Sequence, residues 1–275
     1  MRIGVTIGQT GRLSTPAALC SAAAAAEQVG YASVWVADHF HRPGAATSGS
    51  NGKGSHLPAI LDPVVVLAMA ASVTSRVRLG TGVLAASWYR PELLARSLAT
   101  LNVLGEGRLL VGLDLGDGAQ PEAVLDRLDT AWDGSPMATP MLVTRSRPPL
   151  LLAASTSREL ERVARRADGW IPADLPVERL APMWAQVRDQ AASSGRDPEA
   201  LLLIPRITAL LVDRPLGPSR APYHGSFEQV VDDLGATSDA GAHEVILGFD
   251  ADLTLDEALD GFARLAETLE PAGAL

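Results

Sequence analysis

The sequence predicts an α/β fold, a (β/α)8 TIM barrel formed as a single domain over residues 1–275. Three observations carry that expectation. Eight short runs rich in Val, Ile and Leu alternate with helical segments along the whole chain. Helix starts and stops are marked by proline, by hydroxyl or acidic caps, and by glycine. No repeat of short period and no linker composition interrupts the alternation.

The elements follow in order. RIGVTI (2–7) is a first strand, and Thr15-Pro16 opens a helix because proline at the first helical position gives up only an orphan N–H. The Ala-rich run continues to Gly30, a natural left-handed cap. SVWVADHF (33–40) is the second strand, with Val34 and Val36 flanking Trp35 in a run apolar on both faces. Residues 42–61, rich in Gly, Ser and Ala, read as a long loop. Asp62-Pro63 starts the second helix, VRLGTGVL (77–84) is the third strand, and Pro91 opens a third helix closed at Gly105. RLLVGLDL (108–115) is the fourth strand. Residues 121–132 have helical spacing, and 133–147 show no clear period. LLLAA (150–154) is the fifth strand, followed by a helix over 157–167. GWI (169–171) is the sixth strand, with a helix ending near Gly195. LLLIPRITALLV (201–212) holds the seventh, expected to begin after Pro205. HEVILGF (243–249) is the eighth, between capping boxes at Ser226/Gln229 and Thr254/Glu257.

Composition narrows the function classes. Hydrophobic residues make up 47% and charged residues 20%, the balance of an ordinary globular enzyme or binding protein. The net charge of −9 argues against nucleic acid or an anionic membrane as partner, so an anionic ligand needs local donors. The single cysteine, Cys20, excludes an internal disulfide and any cysteine metal cluster. The apolar run 17–26 is too short to span a membrane and has no basic leader; the expected location is the cytoplasm.

The second strand ends in Asp38 and His39, and chemistry in α/β sheets collects at the carboxyl ends of strands. A histidine beside a carboxylate can hold or move a proton near neutral pH. The plainer alternative is a turn cap followed by a surface histidine. An open dinucleotide-binding sheet would need G-x-G-x-x-G after the first strand; Gly8-Gln9-Thr10-Gly11 has the wrong spacing. His39-x-His41 lacks a third ligand at metal spacing, so no metal site is expected. Trp88, Tyr89 and Arg90 follow the third strand and serve either as pocket lining or as packing.

The segments SVWVADHF, DPVVVLAMAASVTSRVRLGTGV, RPELLARSLATLNVLGEGRLLVGL, PPLLLAASTSRELERVARRADGW and SFEQVVDDLGATSDAGAHEVILGF resemble, in order, the bacterial luciferase-like superfamily. That resemblance implies a β/α barrel using FMN or the deazaflavin coenzyme F-420. It implies that Asp38 and His39 face the reactive ring carbon, and that Gly82 and Val83 form a bulge, often with a non-proline cis peptide, behind the ring. It places the cofactor phosphate at Ala153, Ala154, Ser155, Thr156 and Ser157, where amides opening the next helix favour an anion. An ordinary strand with tightly packed glycines, and an N-cap serine without ligand, are the alternatives at those two places. The chain departs from the family's pattern at Gly112-Leu113-Asp114, where relatives carry a glycine in place of Asp114, and in a shortened segment over 119–147. Asp117 falls near an acid used by some deazaflavin relatives; a solvated loop charge is the alternative.

The expected function is hydride transfer between a small organic substrate and F-420, with His39 as acid/base and Asp38 setting its tautomer or touching the ring. An FMN-dependent monooxygenase is the first alternative. A barrel that binds flavin, or nothing, without turnover is the second. A homodimer is possible on the same resemblance.

Overall fold

The order of the strands around the sheet positions the site. The computed structural model describes residues 1–10, 13–38, 60–116, 121–132 and 147–248. Expectations for His39, His41, Asp117, most of the 42–61 loop, 133–146 and the Thr254/Glu257 cap lie outside the described residues.

The elements are β1 (Arg2–Thr6), α1 (Pro16–Val29), β2 (Ser33–Val36), α2 (Pro63–Val73), β3 (Arg78–Thr81), β4 (Leu84–Ala85) and α3 (Pro91–Leu104). They continue with β5 (Leu109–Asp114), α4 (Pro121–Trp132), β6 (Leu150–Leu152), α5 (Ser157–Arg166), β7 (Gly169–Trp170), α6 (Val177–Ser193), β8 (Leu202–Leu203) and β9 (Arg206–Thr208). A small parallel pair, β10 (Leu210–Leu211) with β11 (His224–Gly225), precedes α7 (Phe227–Asp239) and β12 (Glu244–Gly248).

Among the described residues all pairings are parallel, in the order β8-β7-β6-β5-β3-β2-β1-β12-β9, with β4 also on β5. The path begins and ends on one stretch, residues 202–208, so the sheet closes into the expected eight-stranded barrel. That stretch corrects the expectation of a strand starting only after Pro205. The N–H groups of Ile204 and Arg206 donate to the carbonyls of Trp170 and Pro172 on one edge, at 2.9 and 2.8 Å. On the other edge the carbonyls of Leu203 and Pro205 accept from His243 and Ile246, at 2.9 and 2.8 Å. Proline's missing N–H falls on the second edge, where its carbonyl alone is used, so Pro205 interrupts the assigned strand without breaking the ring.

Helix boundaries follow the caps. Thr15 accepts from the Ala18 amide at 3.3 Å and Asp62 from Val65 at 3.0 Å, while α1 stops at Gly30 in a left-handed conformation. Trp35, Leu110, Leu151, Ile171, Ile204 and Ile246 form one cluster inside the ring. A larger apolar layer packs helices against the outer face of the strands. Gly80 is glycine for space: a Cβ there would lie 2.2 Å from the Trp35 ring. At the amino ends of the strands, fully buried Glu244 meets Arg78 and the Ser33 hydroxyl and accepts from Trp35 Nε1 at 3.3 Å.

Candidate active site at the carboxyl ends of the strands

Two groups of the residues expected in the site come together at this end of the barrel. The first is built on the break between β3 and β4. Gly82-Val83 is a cis peptide, the feature that the family resemblance implied. The break is tied to β2 by Gly82 N–H donating to the Val36 carbonyl at 2.7 Å and by Asp38 N–H donating to Val83 at 3.0 Å. Asp38 then reaches back to the same segment: its Oδ2 accepts from Ala85 N–H at 2.9 Å. The Tyr89 hydroxyl lies 2.9 and 3.0 Å from its two oxygens. Burial pushes the Asp38 carboxyl up, the Ala85 amide and Tyr89 hydroxyl pull it down, and nearby Asp62 adds to the rise; the net direction is upward. Tyr89 is raised as well, by burial and by the Asp38 charge. Gly112 sits against this ridge, exchanging hydrogen bonds with the Thr81 hydroxyl at 2.8 and 2.9 Å. A Cβ on Gly112 would lie 2.1 Å from the Thr81 carbonyl and 3.2 Å from Val83.

The second group surrounds a cavity of about 220 Å³ whose walls include Asp114, Ala153, Ala154, Ser155, Glu159 and Ile171. Ile171 joins the two groups, since it also closes on Gly112. Asp114 is exposed at the end of β5 and accepts from Gly116 N–H at 2.8 Å. Thr156 is the N-cap of α5, and Ser157 its first residue.

The donors at the head of α5 form a set that suits an anion, because they already hold one. Glu159 Oε2 accepts from the amides of Ser155 and Thr156 at 2.8 and 2.9 Å and from the Ser155 hydroxyl at 3.2 Å. Burial pushes the Glu159 carboxyl up, but these donors outweigh it and leave it below the usual carboxylate range. A phosphate fits this donor set in chemistry, in exchange for the Glu159 carboxylate. Thr156 with Glu159 is a capping box; the T-x-x-E spacing is visible in the sequence, where the expectations for Ser155 to Ser157 were donors for a ligand or an N-cap serine without one, and the cap falls on Thr156 instead. Tyr89 is the other residue whose partner the sequence left open; packing and pocket were equal readings.

Residues 1–133 and 122–215 match the profile of the luciferase-like monooxygenase family. An uncharacterized protein of Mycobacterium tuberculosis is 31% identical, over 98% of this chain and 99% of its own. The F420-dependent hydroxymycolic acid dehydrogenase of the same organism is 28% identical over 66% of this chain and 56% of its own. Among solved structures, the monooxygenase RslO1 from Streptomyces bottropensis superposes with a TM-score of 0.77 at 20% identity, covering 100% of both chains.

Proposed function

The chain belongs to the luciferase-like monooxygenase family and is an oxidoreductase, and from that premise we propose hydride transfer between a small organic substrate and the deazaflavin coenzyme F-420. The observation that carries the reading is the cavity at the carboxyl ends of the strands, walled by small and apolar side chains together with Asp114, Glu159 and Arg179, and ending in amides that already hold a carboxylate. The F420-dependent relative supports the choice of coenzyme.

Bound there, the coenzyme supplies the hydride chemistry. The chain's residues do the rest. Ala153 and Ala154 would leave room for the coenzyme, and the Ser155, Thr156 and Ser157 turn would hold its phosphate in exchange for the Glu159 carboxylate. Gly82, Val83 and Gly112 would support the bound ring, and Asp114 would line the same cavity. His39, next in sequence to Asp38, would be the acid/base beside the substrate carbon that gains or loses hydride, giving or taking the accompanying proton at the heteroatom on that carbon.

Titration of the purified protein with F-420 and with FMN, followed by fluorescence, tests this. F-420 should bind more tightly, and reduced FMN should give no substantial peroxide. Tight FMN binding with rapid oxygen consumption and no response to F-420 would instead establish the FMN-dependent monooxygenase. Binding of neither would leave a barrel without turnover.

A further inference from the structure

We propose that Tyr89 is a positioning residue of this active site: its hydroxyl holds the Asp38 carboxylate turned onto the β3–β4 break, at the carboxyl end of the strand that β2 begins. The proposal rests on the reading of this end of the barrel as the hydride-transfer site.

The geometry is specific. Asp38 is fastened at three points to one short segment, by its own N–H to Val83, by Oδ2 to the Ala85 amide, and by both oxygens to the Tyr89 hydroxyl. Tyr89 is delivered by a tight turn, Ala86–Trp88, whose closing bond runs from Tyr89 N–H to the Ala86 carbonyl at 3.2 Å. Pro91 opens α3 two residues later, so the phenol is held between two defined elements. Trp88 beside it is 68% exposed, whereas Tyr89 is turned inward to the carboxylate.

Charge explains why a phenol is needed. Among the described residues no arginine or lysine is ion-paired with Asp38, and the charged group that faces it, Asp62 at the head of α2, is of the same sign. In a half-buried place with a like charge nearby, the ionised carboxylate depends on its two neutral donors. The Ala85 amide is fixed by the backbone. The Tyr89 hydroxyl is the donor a single substitution removes.

The test uses the full chain with 13C-labelled aspartate, following the Asp38 carboxyl by NMR against pH, with Asp38→Asn to assign its signal. In Tyr89→Phe the Asp38 midpoint should rise by about one unit or more, a tenfold gain in proton affinity, since a hydrogen bond to a charged group is lost. The acid limb of F-420 turnover should move up with it, while KM for F-420 changes by less than about twofold, as a group acting through another residue requires. The reciprocal measurement stands in if Tyr89→Phe does not fold: Asp38→Asn should lower the midpoint of Tyr89 ionisation read by ultraviolet absorbance. An Asp38 midpoint unchanged in folded Tyr89→Phe overturns the proposal. So does a raised midpoint with an unmoved acid limb, which would make Tyr89 structural only. Failure of the F-420 reading shows separately, as wild-type protein that binds no F-420.

Discussion

At the scale of single residues, the site divides into groups readable from neighbours in sequence and groups whose partners come from far along the chain. The strand that leads to Asp38 was legible as an apolar run ending in polar residues, and it is found at Ser33–Val36; His39 lies outside the described residues. What Asp38 does with its carboxylate was not legible, because Tyr89 lies 51 residues further on and meets it only once β2 and β3 are paired. Within the proposed reaction His39 is the acid/base, and its substitution separates chemistry from binding. His39→Ala should lower turnover by about 10²–10⁴-fold, the range for loss of a general acid or base, with F-420 affinity nearly unchanged. Wild-type turnover in that variant would take His39 out of the mechanism.

At the scale of elements, the head of α5 and the strand through Pro205 show how one segment can satisfy two rules at once. The run Ser155 to Ser157 has the small residues and helix-start amides of an anion site, and also the T-x-x-E of a capping box. Sequence alone does not say which partner the amides take, since both readings need the same donors; the structure gives them to Glu159. Any phosphate there must replace a carboxylate or lie within a few ångströms of it, and two unit charges about 4 Å apart repel by ~1 kcal/mol even in water. Glu159→Gln removes that repulsion, so affinity for F-420 or FMN should rise by about five- to tenfold, measured by fluorescence titration at low salt. Unchanged or weaker binding would mean that the phosphate is held elsewhere. The stability cost has a defined sign. Glu159 titrates below its ordinary range when folded, so its contribution is present above that range and is lost as pH falls through the folded value. The pH dependence of unfolding should therefore flatten on the acid side in Glu159→Gln. Pro205 misled for the opposite reason: a proline argues against a continuous strand, and the edge it faces could be known only from the closed ring.

At the scale of the whole molecule, the barrel was legible because a parallel sheet repeats one unit, and each unit announces itself by an apolar run and a capped helix. Its closure was expected from the count of eight strand–helix units, but the contacts that close it were not legible, because they depend on how each strand end meets the next rather than on any local pattern. At the amino ends of the strands the ring is joined through a polar centre. Glu244 at the start of β12 is fully buried and takes hydrogen bonds from Ser33 and Trp35 of β2 and an ion pair from Arg78 of β3, with Arg2 of β1 at 3.7 Å. Three neighbouring strands therefore share one carboxylate, far from the cavity at the other end. Leaving such a pair half broken is more damaging than never having built it, because Arg78 stays largely buried without its counter-charge. Glu244→Gln should lower unfolding free energy by about 3–5 kcal/mol, read as a fall in the urea midpoint, while the double variant Glu244→Gln with Arg78→Met should recover part of the loss. F-420 affinity of the folded fraction should be unaffected, since the substitution lies at the end of the barrel opposite the proposed site. A single variant as stable as wild type would show that the closed ring does not depend on this centre, and that packing around Trp35 alone holds the strands in register.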